Sequence, residues 1–523
     1  MMKRFILPVS LLIGITFDLL FWEKAPGISF PIFVLLCTLS GFWLINVSGK
    51  QPAKVNYLLV IAAILFSLMT FVRREPFTSF LGFSITLLSM ALLAASYTSG
   101  RWIKFNLVEH IASFFHLAGG MIALPWTQKS DNQENESGDD KKRRLAPILR
   151  GIALSVPIWL IFISLLYSAD LIFASRIDSL LLNLRLENLA DLIIQLIFAL
   201  IIAYFFAGAI LFAAQRSDRS TAEGEGKPVV TPFLGLTETS IILGGVIVLF
   251  ASFVGIQFQY FFSGQANITL KGFTYAEYAR RGFGELVGVA SLSVLLLKGL
   301  SVATKKESMA KRRIFSGLSA GLVALVLVML VSAFQRLSLY ESAYGFTRLR
   351  TYSHIFMIWL AIYMLAYLGM EFLHRQNQFI NFTLLAMAGF PLTLGLLGVD
   401  PFIVRKNIDR SIQGEAFDAG YLAGLSSDAV PVMAEFYSGR DLPADLRDGL
   451  GAALVCFQQT RVDEPLDERP WQSFHLADHA ALNALESVSR ELKLYEINAE
   501  EWPMVVTSPR GLSFPCQGFL EWD

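Results

Sequence analysis

Charge is scarce in this chain. Charged residues make up 16% of it and apolar residues 54%, against about 25% and roughly 45–50% in soluble globular domains. A wholly water-soluble fold does not fit that balance. Cysteine is scarcer: there are three, with no C-x-x-C motif. There is no Walker A loop and no Rossmann glycine fingerprint, so no nucleotide or other cofactor is implied. The net charge is zero and the basic residues sit in short segments between apolar runs. That pattern leaves no solvated basic patch for nucleic acid. A signal-peptide cleavage site is also missing. Lys3 and Arg4 precede an apolar run to Phe21, but Trp22-Glu23-Lys24 follows with no small-residue site, so the expectation is an uncleaved first helix.

What is present is apolar length. The chain has 43 Phe, which suits a surface facing lipid. A helix needs about 20 apolar residues to cross a bilayer, and about eleven segments qualify. They run from Phe5 to Phe21, Ile28 to Val47, Val55 to Val72, Phe77 to Tyr97, Gly151 to Phe173, Leu189 to Ala214, Thr239 to Phe262, Gly282 to Ala303, Ile314 to Phe334, Tyr352 to Phe372 and Phe379 to Val399. The fold class expected is therefore all-α: a polytopic transmembrane helical bundle of about eleven spans with a small, mostly helical soluble C-terminal domain. The lipid bilayer is its first partner.

Loop Lys and Arg set the orientation. With the N-terminus cytoplasmic, Lys50, Lys54, Lys141 to Arg144, Arg216, Arg219, Lys227, and Lys305, Lys306, Lys311, Arg312 and Arg313 fall inside. The tally is then about 20 basic residues inside and about 11 outside. An odd number of spans places the tail outside a cell (inner) membrane. Beyond Asp400 there are ten Lys/Arg against twenty Asp/Glu, so the tail is acidic while the remainder is basic. Two such materials suggest separate domains. We divide the chain into 1–146 (four helices, a cytoplasmic amphipathic segment and an acidic linker), 147–399 (about seven helices) and 400–523 (the acidic soluble domain). Within the first, Trp102 to Leu124 reads as an interfacial helix or a weak extra span, and Ser130 to Asp140 as a disordered linker. In the tail, helical spacing covers Asp418 to Leu425, Asp441 to Gln459 and Phe474 to Leu494. Cys456 and Cys516 either pair, if the tail faces an oxidising space, or stay as buried thiols.

Two stretches concentrate polar groups at expected outer helix ends. In Gly272 to Glu285, Thr274 and Glu277 form a capping box. Tyr275, Tyr278 and Arg281 lie near one face by three-residue steps, Arg280 and Glu285 flank them, and Glu277 and Arg281 stand four apart. In Arg336 to Arg350, Tyr340, Tyr344 and Arg348 share a face with Glu341 and Arg350 nearby. Arginine forks suit phosphate or carboxylate, so these eleven residues are a candidate site for an anionic lipid head group or solute. The plainer reading is internal Arg–Glu pairing that holds helices together. Inside the spans, Asp170, Gln257 and Gln259 are the polar residues to watch, although Asp170 can simply cap a helix end.

Other patterns carry less. Gly317-x-Ser319-x-Gly321 matches a hydrolase elbow but lies in an apolar helix, not a strand–turn–helix. His475 and His479 stand four apart without the Glu of a zincin, and Glu371-x-x-His374 occurs once where a di-iron bundle needs two. No metal site is expected and no catalytic set is complete.

Longer motifs carry a resemblance. They are Ser168-Ala169-Asp170-x-x-Phe173, Gln257-Phe258-x-Tyr260-Phe261-Phe262-x-Gly264, F-T-Y-A-E-Y-A-R-R-G-F-x-E-L, R-L-x-L-Y-E-x-A-Y-G-F-T-x-L-R, Asn407-Ile408-x-Arg410, and Asp418-x-x-Tyr421-Leu422 through to Asp428-Ala429-Val430-Pro431. Over roughly Pro147 to Pro431 the chain resembles a bacterial membrane family, domain of unknown function four-one-seven-three. The resemblance implies an envelope membrane protein with no established activity. Gly398-Val399-Asp400-Pro401 departs from the Asn-Pro-Asp expected there, so the start of the tail is expected to be organised differently. The functional expectation is a non-enzymatic scaffold, sensor or regulator whose outer domain binds a protein partner. The alternative is a transporter or lipid-handling enzyme using the Tyr/Arg/Glu cluster.

Overall fold

The structure is a computed structural model. It describes residues 2–134 apart from 106, then 189–217, 232–261, 283–373, 379–439, 442–460, 469–498 and 503–516, together with Arg375 and a few positions between 162 and 176. Its helices are α1 (Met2–Phe21), α2 (Ser29–Val47), α3 (Tyr57–Val72), α4 (Pro76–Ala95), α5 (Leu107–Glu134), α6 (Leu189–Gln215), α7 (Leu236–Phe261), α8 (Phe283–Ala303), α9 (Met309–Tyr344), α10 (Arg348–Phe372) and α11 (Phe379–Leu397). The tail adds α12 (Val399–Ile412), α13 (Ala419–Ala423), α14 (Val430–Ser438), α15 (Ala444–Gln459) and α16 (Leu476–Leu492).

Ten of these helices, all of α1 to α11 except α5, are long and apolar enough to cross a membrane among the described residues. The protein is thus an all-α, polytopic membrane protein. The expected span Gly151 to Phe173 lies mostly outside the described residues. α9 is longer than hydropathy suggests. Its 36 residues reach about 54 Å at 1.5 Å per residue, well beyond the roughly 30 Å of a hydrocarbon core. The helix carries on through the Tyr340–Tyr344 motif instead of stopping at Phe334. α5 covers the expected interfacial helix from Leu107 onward, after a separate 3₁₀ turn at Arg101–Ile103, and continues to Glu134. It therefore includes the first residues of the expected linker; the rest of that linker is outside the described residues.

Two compact units emerge. The first comprises residues 1–64, 88–100 and 111–222, the second 65–87, 101–110 and 223–523. In the first, α1 packs on α2 and α6 through small residues. A Cβ on Gly14 of α1 would overlap the Ala199 carbonyl of α6, and one on Gly208 of α6 would overlap the backbone of Met121 in α5. Such close approach is a common way for membrane helices to gain contact without a hydrophobic driving force. Asn56 is the main polar clip, its amide donating to the carbonyls of Ser96 and Tyr97 at 2.7 and 2.8 Å.

The second unit has two apolar cores. One joins α7, α8, α9 and α10 through Leu243, Ala290, Leu297, Phe315, Leu322 and Met357. The other runs from Ile355 and Leu394 through Ile403, Met433, Leu454 and Val488 to Cys516. The end of the membrane bundle and the tail therefore share one core. The tail is not purely helical. Three short strands, β1 (Glu496–Asn498), β2 (Val505–Thr507) and β3 (Ser513–Pro515), form an antiparallel sheet in that order. Runs of three residues are too short to carry a periodic pattern. Cys456 and Cys516 are joined in a disulfide, with Cα atoms 5.5 Å apart, which resolves the alternatives left open by the sequence.

Candidate functional site

A dense polar cluster lies where two tight interhelix turns meet the tail, all within the second unit. The first turn is Arg73-Arg74-Glu75, between α3 and α4. Pro76 opens α4 and has no N–H to offer. Glu75 supplies the cap: its carboxylate accepts from the backbone N–H groups of Phe77 and Thr78 at 2.9 and 2.8 Å, and from the Thr78 hydroxyl. The hydroxyl of Tyr352, on α10, donates to the other side of the same carboxylate. Glu75 is thereby buried and satisfied.

The second turn is Gly345 to Thr347, between α9 and α10. Asn407 of α12 clamps it in both directions, accepting from Phe346 N–H at 2.7 Å and donating to the Phe346 carbonyl at 2.9 Å. Gly345 has φ +86°, and a Cβ there would sit 2.8 Å from Asn407 Oδ1. Glycine both permits the turn and makes room for the amide. Arg410, one turn on, donates to the carbonyls of Ser342, Ala343 and Ala416.

Between the turns sits the core of the cluster. Asp400, fully buried in the first turn of α12, takes a two-point fork from Arg348: Nε at 2.8 Å and an Nη at 2.6 Å. Asp400 also accepts from Ser426 N–H at 2.8 Å. Such bidentate, charge-assisted pairing is what makes a buried pair tolerable. Asp428 accepts from the backbone N–H groups of Arg74 and Glu75 at 2.7 and 2.9 Å and from Ser426 Oγ at 3.1 Å, with Arg73 3.6 Å away. Burial pushes the Asp428 carboxyl up, and these donors oppose the shift. Arg73 also donates to the Gly395 carbonyl at 2.8 Å. It fits because Gly398, at φ +65°, has no Cβ to meet its guanidinium. Further out, Asp478 accepts from Arg469 at 3.1 Å and from Ser427 Oγ, with Arg74 3.7 Å away. His475 Nε2 donates to the Thr70 carbonyl at 2.7 Å. Burial lowers its basicity.

A second polar group lies at the opposite end of α10. Lys306, between α8 and α9, is 3.3 Å from the buried carboxylate of Glu371 and over the Phe315 ring. Burial lowers the Lys306 ammonium, and Glu371 opposes that shift.

The candidate residues distribute as follows. Tyr275, Glu277, Tyr278, Arg280 and Arg281 lie outside the described residues, as does the side chain of Gln259. Glu285 is exposed near the start of α8. Arg348 is paired with Asp400, not with Glu341. Glu341 instead meets His354 Nδ1 at 3.2 Å. Arg350 donates to the Gly345 carbonyl and covers the Tyr340 ring at 4.1 Å. Tyr340 and Tyr344 meet at a tilt with ring centroids 4.9 Å apart. Thus Tyr340, Tyr344 and Arg350 gather around the second turn, Arg348 turns into the buried cluster, and Glu341 faces α10. Asp170 is exposed and accepts from the N–H groups of Ile172 and Phe173 at 2.7 and 2.9 Å, a capping role. Gln257 is buried. Ser319 is buried within α9, and His479 contacts Asn483.

Sequence reasoning missed Arg73, Arg74 and Glu75, and it did not place Asp400 in the site. One signal was available for Glu75: an acidic residue directly before proline at a span start is a strong cap pattern. The pairing of Asp400 with Arg348 had none.

A family model described as domain of unknown function (DUF4153) matches residues 60–436. The chain belongs to this family. The number therefore differs from the four-one-seven-three suggested by the motifs. The DUF4153 match also begins earlier, inside α3, and so takes in the Arg73-Arg74-Glu75 turn. It covers both turns, Asp400 and Asp428, while Arg469, His475 and Asp478 lie beyond it. No curated protein and no solved structure matches the chain.

Proposed function

We propose that this membrane protein is a non-enzymatic scaffold, sensor or regulator of the bacterial envelope. Its N-terminus lies in the cytoplasm, and its acidic domain of residues 400–523 is held on the outer face for a protein partner. One observation carries the reading. Arg348, the centre of the candidate anion site, is neutralised by the fully buried Asp400 of the same chain. A fork occupied in this way clamps the tail onto the bundle and has little left for a head group or solute.

Two further observations support the topology. The turn at 73–75 gives backbone N–H groups to Asp428, Arg348 just past the turn at 345–347 pairs with Asp400, and Ser426 bonds both carboxylates, so the two turns belong to one side of the membrane and an even number of crossings must separate them. Five spanning helices are described between them, which favours a total of eleven, the count expected from hydropathy. The Cys456–Cys516 disulfide suits an oxidising outer space.

Sidedness is tested by labelling Cys516 in intact cells with a membrane-impermeant thiol reagent. Labelling only after reduction is expected; labelling only after permeabilisation would put the tail in the cytoplasm. Role is tested with Arg281→Gln and Arg348→Gln in proteoliposomes containing phosphatidylglycerol. The scaffold reading expects no anionic-lipid binding or turnover that these changes abolish. Loss of such an activity in a folded variant would favour the transporter or lipid-handling alternative.

A further inference from the structure

One short stretch of the tail has its polarity turned inside out. Pro470 leads into a 3₁₀ turn, Trp471–Ser473, and α16 begins at Leu476. Gln472, Ser473 and His475 are buried, whereas Trp471, Phe474 and Leu476 are 57%, 39% and 43% exposed. Polar side chains point inward and large apolar ones outward, the reverse of a surface made for water.

The depth of this stretch is fixed by its anchor. His475 donates to the carbonyl of Thr70, two residues from the end of the spanning helix α3. The Phe71 ring lies 6.0 Å from that of Phe474. Around the same corner, Val72, Phe77 and Phe80, at the ends of α3 and α4, are themselves exposed. The apolar belt of the two spans therefore continues onto the tail at the level where hydrocarbon gives way to head groups. Tryptophan favours that boundary because its ring is amphipathic, and apolar side chains on a short amphipathic element bind there by area.

We propose that Trp471, Phe474 and Leu476 form a foot by which the tail inserts into the lipid interface of the leaflet where α3 ends. The occupant is lipid, not a second protein, because the patch is continuous with surface that already faces lipid. The proposal rests on α3 spanning the membrane; it does not depend on which side that is, or on the scaffold role.

The test uses the full-length protein with Cys37→Ser, its disulfide intact, in phosphatidylethanolamine–phosphatidylglycerol vesicles. Trp471→Cys and, separately, Phe474→Cys are labelled with an environment-sensitive dye. Leu494→Cys, past the far end of α16 and 63% exposed, serves as the reference. The two foot positions are expected to be quenched several-fold more by lipid carrying a nitroxide near its head group than by aqueous iodide, with the order reversed at Leu494. Iodide quenching at the foot equal to that at Leu494 would overturn the proposal. So would protection from both quenchers, which would mean that a second copy of the chain covers the patch.

Discussion

The first unit and the corner of the second solve the same problem by opposite means. Helices α1, α5 and α6 hold together by removing side chains: Gly14 brings α1 onto the backbone of α6 at Ala199, and Gly208 brings α6 onto the backbone of α5 at Met121. The corner around Asp400 holds together by adding charge: Arg348, Asp400, Arg73 and Asp428, each with a specific donor or acceptor. Small-residue packing suits hydrocarbon, where an unpaired charge is costly. Ion pairs suit turns at a span end, where backbone groups also need partners. The first mode depends on backbone proximity, the second on which side chains pair.

The largest expected effect breaks the second mode. Asp400→Ala leaves Arg348 without its partner in a mostly buried position and should destabilise the protein by about 3–5 kcal/mol. Adding Arg348→Met should recover part of that loss. The midpoint of thermal unfolding in detergent and tail resistance to limited proteolysis check both. An unchanged midpoint would mean that the pair is incidental.

Next is the covalent tie inside the tail. Replacing Cys456 and Cys516 by Ala opens a loop of 60 residues and should cost about 2–4 kcal/mol. The loss should appear as tail unfolding under denaturant, with the membrane helices retaining their helicity.

The first mode is probed by a pair of alanines. Gly14→Ala drives a methyl into the Ala199 carbonyl and should cost about 1–3 kcal/mol. Gly119→Ala, where a Cβ meets nothing within 4 Å, should instead be neutral or stabilise by up to about 1 kcal/mol through helix propensity. Equal effects at the two sites, measured as thermal midpoints, would remove the case for backbone contact.

The smallest effect is on pH. Burial holds the His475 imidazole below its ordinary value of 6.5. The folded form thus favours the neutral ring, and the stability this gives is present above 6.5 and lost as pH falls through the lowered value. Asp428, held above its ordinary 3.8, acts oppositely: its contribution is present below 3.8 and lost as pH rises through the raised value. Proteolytic release of the tail should increase as pH drops below 6.5, and His475→Gln should flatten that dependence. A variant with the same pH profile as wild type would show that another group sets it.

Much of the candidate site was legible as motif but not as geometry. Arg348, Asn407, Arg410 and Asp428 all stood in the stretches that carry the family resemblance. Their partners did not. Arg348 and Asp400 are 52 residues apart, and the Arg74 backbone N–H that Asp428 accepts, beside the Arg73 guanidinium, is 354 residues away. Charge alone could not say which carboxylate each arginine would meet, and Glu341, expected on the same side as Arg348 seven residues on, turned to His354 instead because the turn at Gly345 separates the two helices. The extent of α9 was missed for a related reason: hydropathy marks where lipid ends, whereas a helix ends where its backbone bonds do.

By itself the sequence determined the class of the protein: a helical membrane bundle with an acidic tail. Apolar runs longer than a bilayer is thick leave the backbone no other way to satisfy its polar groups. Only the tertiary structure decided that the tail shares a core with the last spans, that Cys456 meets Cys516, and that Asp400 takes Arg348. Those outcomes depend on which distant segments arrive side by side, and burial then favours the pairing that compensates the buried charge.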